Sequence, residues 1–511
     1  MNTLLHTLQD LSPAMLRAVA ENNGVVLTSN APRAMADELA ATLADSAHLA
    51  DIVAALSPDA RDALARLLQA GGRMPAPALQ RRYGEIRSFG PGRLERERPN
   101  RSPANSSETL WYFGLIYRTF AETPEGLTEF LAIPAELASR LPRLQTASGS
   151  FSLPAAVEPA SVAPVTAPDA LLHDVCSLLC LVQAGEVRLA ASGEPSAWRI
   201  TSLYALGGLM LQPVEAVSLL DPRAPGSQPA LAFALVNDLN WLRAADAALR
   251  LDAQPVQQWL LLSRPEQRRW LMAAWRGSTG WNDLCRTSAL SCEETGSWNN
   301  DPAATRTRLL PLLASLEGKS WYDAAGFVAA IKEYAPDFQR PDGDYNTWYI
   351  RRRDDPIFLR GFERWDEVEG ELLRFLLTGP LSWLAVVQTG RGASGAPLFR
   401  LTEEGARWLA DEIPPPSESP GQPEVLPDFT VEVPADAPLI DRFRISRFTT
   451  WELARREPTL VFRYRITQTG LRRAVRQGIA VERVLGYLHE RCGEALPANV
   501  AAALAAWQAQ Q

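Results

Sequence analysis

LSPDARDALARLLQAGGRMPAPALQRRYG, residues 56–84, and ANSSETLWYFGLIYRTFAETPEGLTEFLAI, residues 104–133, together decide how this chain is read. Ser57 is placed to cap a helix and Pro58 suits its first turn. Leu64, Leu67 and Leu68 fall on one face, and Gly71 with Gly72 stops the run, so residues 56–72 form the first helix. Leu79 and Tyr83, at i and i+4, mark a shorter helix over 77–83 that ends at Gly84. A third helix is expected over 104–113, capped by Ser106 or Ser107. Two strands, 115–120 and 127–133, then flank the turn Thr123-Pro124-Glu125-Gly126. Three helices followed by a hairpin is the order of a winged helix. Residues 56–146 are assigned to one, and 1–55 read as short helices forming a small helical cap.

Outward from this block, two stretches have linker chemistry. ASGSFSLPAAVEPASVAPVTAP defines a linker over 147–168, and the proline-rich run that starts EIPPPSESPGQPE defines another over 412–424. Between them the same grammar recurs. Residues 169–262 read as winged-helix-like, with helices over 169–183, 200–210 and 231–242 and a short extended stretch at 247–251. Residues 263–411 form a tryptophan-rich helical or winged-helix domain. There Ser263 and Glu266 make a capping box around Pro265, and helices follow over 306–316, 321–334 and 362–377. A hairpin of 381–388 with 398–402 encloses the turn GRGASG, and Thr402 caps a closing helix to 409. The last block, 425–511, alternates differently: strand 425–433, helix 439–453, strand 460–466, then three helices. The expected fold is mainly α with small β-hairpins, α+β overall. It consists of tandem winged-helix domains and a small C-terminal α+β domain.

A chain of 511 residues is too long for one core, and roughly three to five domains are expected. At 46% hydrophobic and 22% charged residues it has the composition of a soluble globular protein. Its apolar runs fall short of the roughly 20 residues that span a bilayer, and MNTLLHTLQD lacks the plan of a secretory signal. A cytoplasmic protein without a membrane partner is expected. Cys176, Cys180, Cys285, Cys292 and Cys492 are too scattered for a disulfide framework and read as reduced thiols. Lys319 and Lys332 are the two lysines among 51 basic residues, the rest being arginine. With a net charge of -8, any contact with DNA must come from local basic patches.

Several stretches carry a family resemblance. GGRMPAPALQRRYGEIRSFGPGRLERERP with ETLWYFGLIYRTF, and the ending VLPDFTVEVP with FRYRITQTGLRRAVRQGIAVERVLGYLHERCGEALPANVAAALAAW, resemble bacterial helicase-associated proteins. The C-terminal domain of those proteins is similar to the N-terminal domain of XPB helicases. The ending, 425–507, is the more specific part: a strand, a strand leading into a threonine-led helix, and a helix opening on Leu496-Pro497 with Val500 recur in order. The resemblance implies a DNA-associated role in repair or processing.

The motor of such helicases has no counterpart in these residues. The nearest approach to a P-loop is Gly318-Lys319-Ser320, but Leu313 stands where the leading glycine belongs and no apolar strand precedes it. His6, His48, His173 and His489 form no metal or catalytic motif. His173, Cys176 and Cys180 share a helix face, yet Leu172, Val175 and Leu179 beside them favour a buried apolar surface over a metal site. Trp259, Trp270, Trp275, Trp281, Trp298 and Trp321 read mainly as core rather than as a base-stacking array. No enzymatic activity, cofactor or metal is expected.

Basic patches carry the functional reading. Arg81, Arg82, Arg87, Arg93, Arg96, Arg98 and Arg101 lead into the presumed recognition helix, where they can hold phosphates while that helix enters the major groove. The competing reading is that Glu85, Glu95 and Glu97 neutralise them into a solvated loop. Arg351 to Arg353 make a weaker patch beside Asp354 and Asp355. In the last block Arg463 and Arg465 accompany Arg472, Arg473 and Arg476, with Arg472 and Arg476 on one helix face. The chain is therefore expected to be a non-catalytic DNA-binding accessory protein. It would grip duplex or forked DNA for a separate helicase or nuclease. A protein-interaction scaffold is the alternative, and a transcriptional regulator a more remote one.

Overall fold

The structure, a computed structural model, describes residues 2–123, 126–142, 144, 151–156, 163–164, 169–185, 189–191, 198–200, 224–245, 248–293, 300–413, 420–452, 454 and 459–508. Helices dominate and the sheets are small and antiparallel, a mixed α+β architecture. No described helix is long and apolar enough to cross a membrane.

Ser57 caps the Pro58–Gln69 helix, accepting from the Ala60 N–H at 3.2 Å, and the Ala76–Tyr83 helix ends at Gly84. The next helix, Ser106–Tyr112, is capped by Asn105 and not by either serine. The Asn105 side-chain oxygen Oδ1 accepts from Glu108 N–H at 2.9 Å while its side-chain Nδ2 donates to the Glu85 carbonyl at 2.8 Å. Ser107 is fully buried inside the helix. A further helix, Pro91–Glu97, forms where the sequence reads as a loop. Strands Tyr117–Thr123 and Gly126–Ala132 pair, and the short strand Arg73–Pro75 joins the second of them through Met74 opposite Leu131. Two residues of the expected hairpin turn, Pro124 and Glu125, lie outside the described residues.

The four helices of residues 4–55 do not stand apart as a cap. Leu16, Val19, Leu39 and Leu43 share one core with Leu64, Leu79, Leu110 and Leu131. Each such leucine contributes roughly 1.5–3 kcal/mol when withdrawn from water. Gly114, at φ +69°, allows the chain to turn against Val19 and Leu43, where a Cβ would meet Val19 at 3.0 Å.

The central body is a second continuous core from Phe151 to Ile440, crossing the boundary expected at 262. Trp259, Trp275 and Trp281 fill it and Trp321 is buried, whereas Trp270 is exposed and Trp298 lies outside the described residues. The Ser263 capping box is present, with Ser263 N–H donating to Glu266 at 2.8 Å. Parts of the segment read as a linker over 147–168 are folded onto this body. Phe151 packs edge-on against Phe327 and Tyr334, and Ala163–Pro164 pairs with Gly390 and Arg391. The helix expected over 200–210 falls almost wholly outside the described residues.

Within the central body the connectivity of the first unit is repeated. Helix Pro302–Ala314 leads to the short strand Tyr322–Asp323, helix Ala324–Tyr334, helix Trp365–Thr378 and the hairpin Val387–Arg391 with Pro397–Leu401. In both units the short strand pairs with the second strand of the hairpin. The expected strand over 381–388 begins late, because Pro380–Trp383 is a helical turn and Ala385 takes φ 57°. Cys285 and Cys292 are disulfide-bonded, with Cα atoms 5.4 Å apart, which corrects the reading of all five cysteines as reduced thiols. They are close because Cys292 lies in a strand that pairs with Ile350–Arg352, folding its segment back toward Cys285.

The C-terminal body has its own core, including Val431, Ile445, Phe462, Leu471 and Val500. Its sheet runs Glu424–Val425, Thr430–Pro434, Val461–Ile466, Thr449–Trp451 in spatial order. The helix expected over 439–453 stops at Phe448. The β-branched and aromatic Thr449–Trp451 instead pairs with Tyr464 to Ile466. Three α-helices, Gln468–Arg476, Val481–Cys492 and Ala498–Gln508, complete it.

Candidate nucleic-acid interface

Most arginines of the first patch are held by carboxylates. The fork of Arg87 grips both oxygens of Glu108, at 2.6 and 2.7 Å. Burial pushes the Glu108 carboxyl up, but Arg87 and the backbone N–H groups of Ala104 and Arg87 outweigh it and leave the group below its ordinary value. Arg93 bonds Glu97 at 2.8 Å, and Arg96 approaches the same carboxylate at 3.9 Å. Arg101 pairs with Glu21, whose acidity this contact increases. Glu95 is taken by Arg17 at 2.8 Å. Arg96 and Arg98 remain well exposed, Arg98 in a left-handed conformation at φ 47°.

Arg81 and Arg82 point elsewhere. Arg81 reaches the central body, donating to Asp337 at 2.5 Å and to the Gly343 carbonyl at 3.0 Å, with its plane against Tyr345 and Phe362. Arg82 donates to the Glu333 carbonyl at 3.2 Å and lies 3.9 Å from Asp62. Both residues join the first body to the central one.

The one helix expected to enter the major groove offers little surface for it. Ser106–Tyr112 is seven residues long and none of them is exposed. Its counterpart in the central body, Trp365–Thr378, turns Asp366, Glu367 and Glu371 outward or partly outward alongside Arg374, so its open face is acidic. The Arg351 to Arg353 patch is likewise spent: Arg351 pairs with Glu293, Arg352 with Glu367, and Arg353 donates to the carbonyls of Cys285 and Thr287.

The third patch divides by face. Arg463 and Arg465 in the sheet meet Glu432, Glu452 and Asp428. Arg473 turns inward and donates to the Ser446 carbonyl at 2.8 Å and to that of Thr449, satisfying the end of the Leu439–Phe448 helix. Arg472 and Arg476 face outward, one turn apart, and among the described residues neither has a carboxylate in ion-pair range. The helix that carries them buries Leu471 and Ala474 on its other side and is fixed at its start by Thr467. Arg483, exposed in the first turn of the next helix, adds a further cation.

No protein-family model matches the chain, and no curated protein matches it. His173, Cys176 and Cys180 lie on the Ala170–Ala184 helix, which is buried from Ala170 to Val182. Among the described residues no group of three or more histidine, cysteine or acidic side chains is arranged to hold a metal. The His173 ring packs on Phe462 and its backbone carbonyl accepts from Arg442 at 3.0 Å, so this face docks the C-terminal body. Lys319 sits in a turn at φ 80° between Pro302–Ala314 and the short strand Tyr322–Asp323, a setting unlike a phosphate-binding loop.

Proposed function

We propose that this protein is a non-catalytic, DNA-associated accessory factor of a helicase-type repair or processing system, built on winged-helix units and contacting DNA through phosphates. The observation that carries this reading is the outward pair Arg472 and Arg476, free of carboxylate partners among the described residues in a chain of net charge -8. It lies in the stretch whose sequence resembles the XPB-type domain. Guanidinium groups one turn apart on a rigid helix suit adjacent backbone phosphates. Contacts of that kind give affinity without sequence reading, which agrees with the lack of exposed residues on the presumed recognition helix, Ser106–Tyr112.

Titration of labelled duplex, single-stranded and forked DNA at two salt concentrations tests the proposal. The expected result is salt-sensitive binding that weakens in the double variant Arg472→Glu with Arg476→Glu. Absence of binding at low salt overturns it.

A protein-interaction scaffold is the second reading, favoured by the outer end of the first hairpin. Phe120 and Leu127 are 62% and 73% exposed there. The register, Phe120 opposite Glu129 and Glu122 opposite Leu127, places them diagonally on one face. A stable complex with a protein partner in the absence of DNA, lost in Phe120→Ser, is its signature. A transcriptional regulator would need an open recognition helix, and none of the residues of Ser106–Tyr112 is exposed.

A further inference from the structure

The two repeated units differ at one edge of their sheets. In the central body the outer side of the first hairpin strand, Val387–Arg391, is covered, because Ala163–Pro164 pairs with it at Gly390 and Arg391. In the first unit the corresponding strand, Tyr117–Thr123, ends the sheet, and among the described residues no strand pairs with its outer side. An edge strand left open offers its backbone N–H and C=O groups to another chain. The central unit shows that a further strand can be seated at this position.

The side chains of the open strand are arranged about its middle residue. Arg118, Phe120 and Glu122 alternate onto one face of the sheet. Phe120 is largely exposed there. Glu122 is exposed as well, and among the described residues no cation lies in ion-pair range of it. Arg118 is partly buried; it donates to the Ile86 carbonyl at 3.0 Å and stands 3.5 Å from Glu129, its diagonal neighbour. The central body is met from the opposite face, where the Thr123 hydroxyl donates to Asp342 at 2.9 Å.

A cation two places before an exposed aromatic ring and a carboxylate two places after it form a self-complementary pattern. When two such strands pair antiparallel about Phe120, each ring faces its own equivalent. Arg118 then faces Glu122 of the partner subunit, and the same contact is made a second time by symmetry. Residues directly opposite each other have Cβ atoms about 4.5–5.5 Å apart, close enough for both the ion pairs and the ring contact. The register is fixed by these side chains. A slip of one residue puts the two rings on opposite faces of the sheet, and a slip of two sets a charge against Phe120.

We propose that two copies of this chain associate through these edges, the Tyr117–Thr123 strands pairing antiparallel about Phe120 so that two three-stranded sheets become continuous. The contact is small, and the association is therefore weak and reversible. The proposal rests on the scaffold reading above, whose partner it names as a second copy, and is independent of the Arg472 and Arg476 face.

Sedimentation velocity of the full chain over a wide range of concentration tests it, alongside Glu122→Arg, Arg118→Glu and an equimolar mixture of the two variants, each verified as folded by circular dichroism. The expected result is a monomer that passes to a dimer as concentration rises, with dimer affinity about tenfold lower in Glu122→Arg, where like charges face each other twice. The mixture should regain the native affinity, because every cation again faces a carboxylate. Glu122→Arg alters an exposed side chain and decides the matter alone if Arg118→Glu does not fold. A dimer whose affinity is unchanged in Glu122→Arg places the contact elsewhere and overturns the proposal. A chain that stays monomeric yet binds a different protein through Phe120 overturns the pairing of copies and leaves the scaffold reading standing. A chain that stays monomeric and binds no protein overturns both.

Discussion

Arg81 and Asp337, 256 positions apart in the chain, meet at 2.5 Å and join the first hydrophobic core to the second. Both are largely buried, and the Asp337 carboxyl is pushed above its ordinary value by burial, against the pull of Arg81 and Tyr345. Removing Arg81 leaves that carboxylate uncompensated in a poorly solvated place. Arg81→Ala is expected to destabilise the junction by about 2–4 kcal/mol. Arg81→Lys is expected to recover less than half of this, because a lysine cannot serve Asp337 and the Gly343 carbonyl together while stacked on Tyr345 and Phe362. Urea unfolding of both variants, with limited proteolysis of the junction, checks the order.

Arg442 is fully buried, and among the described residues it has no carboxylate partner. It donates to the Tyr464 hydroxyl at 2.9 Å, the His173 carbonyl at 3.0 Å and the Ser177 hydroxyl at 2.5 Å, and it lies 3.5 Å from the centre of the Phe462 ring. Arg442→Ala leaves a void and three unmatched polar groups and is expected to cost roughly 3–5 kcal/mol. Arg442→Met fills the space without a buried charge and is expected to cost much less. Comparable losses in the two variants would contradict this account.

The pH dependence of stability is expected to carry a contribution from His173. Its folded-state pKa is held well below 6.5, first by burial and then by Arg264 and Arg442. The unfolded chain binds a proton near 6.5 that the folded chain refuses, so the contribution is complete above that pH and is lost as pH falls below it. The slope approaches about 1.4 kcal/mol per pH unit. Denaturant titrations at pH 5, 6 and 7.5 should show this slope in the native chain and a shallower one in His173→Leu.

The helix bearing Arg472 and Arg476 is seated by Gly470. A Cβ there would collide with the carbonyl of Phe448. Gly470→Ala is expected to destabilise the C-terminal body by about 1–3 kcal/mol, measured as earlier exposure of Trp451 fluorescence. Its DNA affinity should fall less than that of Arg472→Glu with Arg476→Glu, since the charges remain.

If Arg472 and Arg476 each neutralise one phosphate, their joint replacement by alanine should reduce the salt slope of duplex binding by about two. An unchanged slope with reduced affinity would instead point to a structural effect.

Local signals served the reading of the fold well. Ser57, Pro58 and Gly84 punctuate their helices as expected, and the Ser263 capping box is in place. Asn105 took the cap from its serine neighbours because its amide also reaches Glu85, a contact 20 residues away that no local pattern displays. Thr449 to Trp451 left its helix for a ladder with a strand still to come. Composition marks 147–168 as a linker, yet the single Phe151 within it is part of the central core.

The candidate site was less legible, because charge along a sequence does not reveal pairing in space. Of Glu85, Glu95 and Glu97, the carboxylates that the competing reading sets against the patch, Glu97 holds Arg93, whereas Glu108 from the third helix and Glu21 from the opening helices hold Arg87 and Arg101. Arg473 stood in the same run as Arg472 and Arg476, but one step of helical rotation sent it inward.

The junctions between bodies share a trait. Arg81 donates to Gly343, Arg82 to Glu333, Arg264 to Ala435 and Ala437, and Arg442 to His173, in each case to a main-chain carbonyl. At Glu333 and Ala435 the receiving residue contributes an atom that every amino acid possesses, so its own side chain is at liberty to drift while the arginine is not; Gly343 is held to glycine by its φ of +68°, since a Cβ there would meet Arg81 at 2.8 Å. In a set of related sequences Arg82 and Arg264 would register at these joints as invariant positions with no covarying residue on the carbonyl side, whereas Arg81 would also show its partner Asp337.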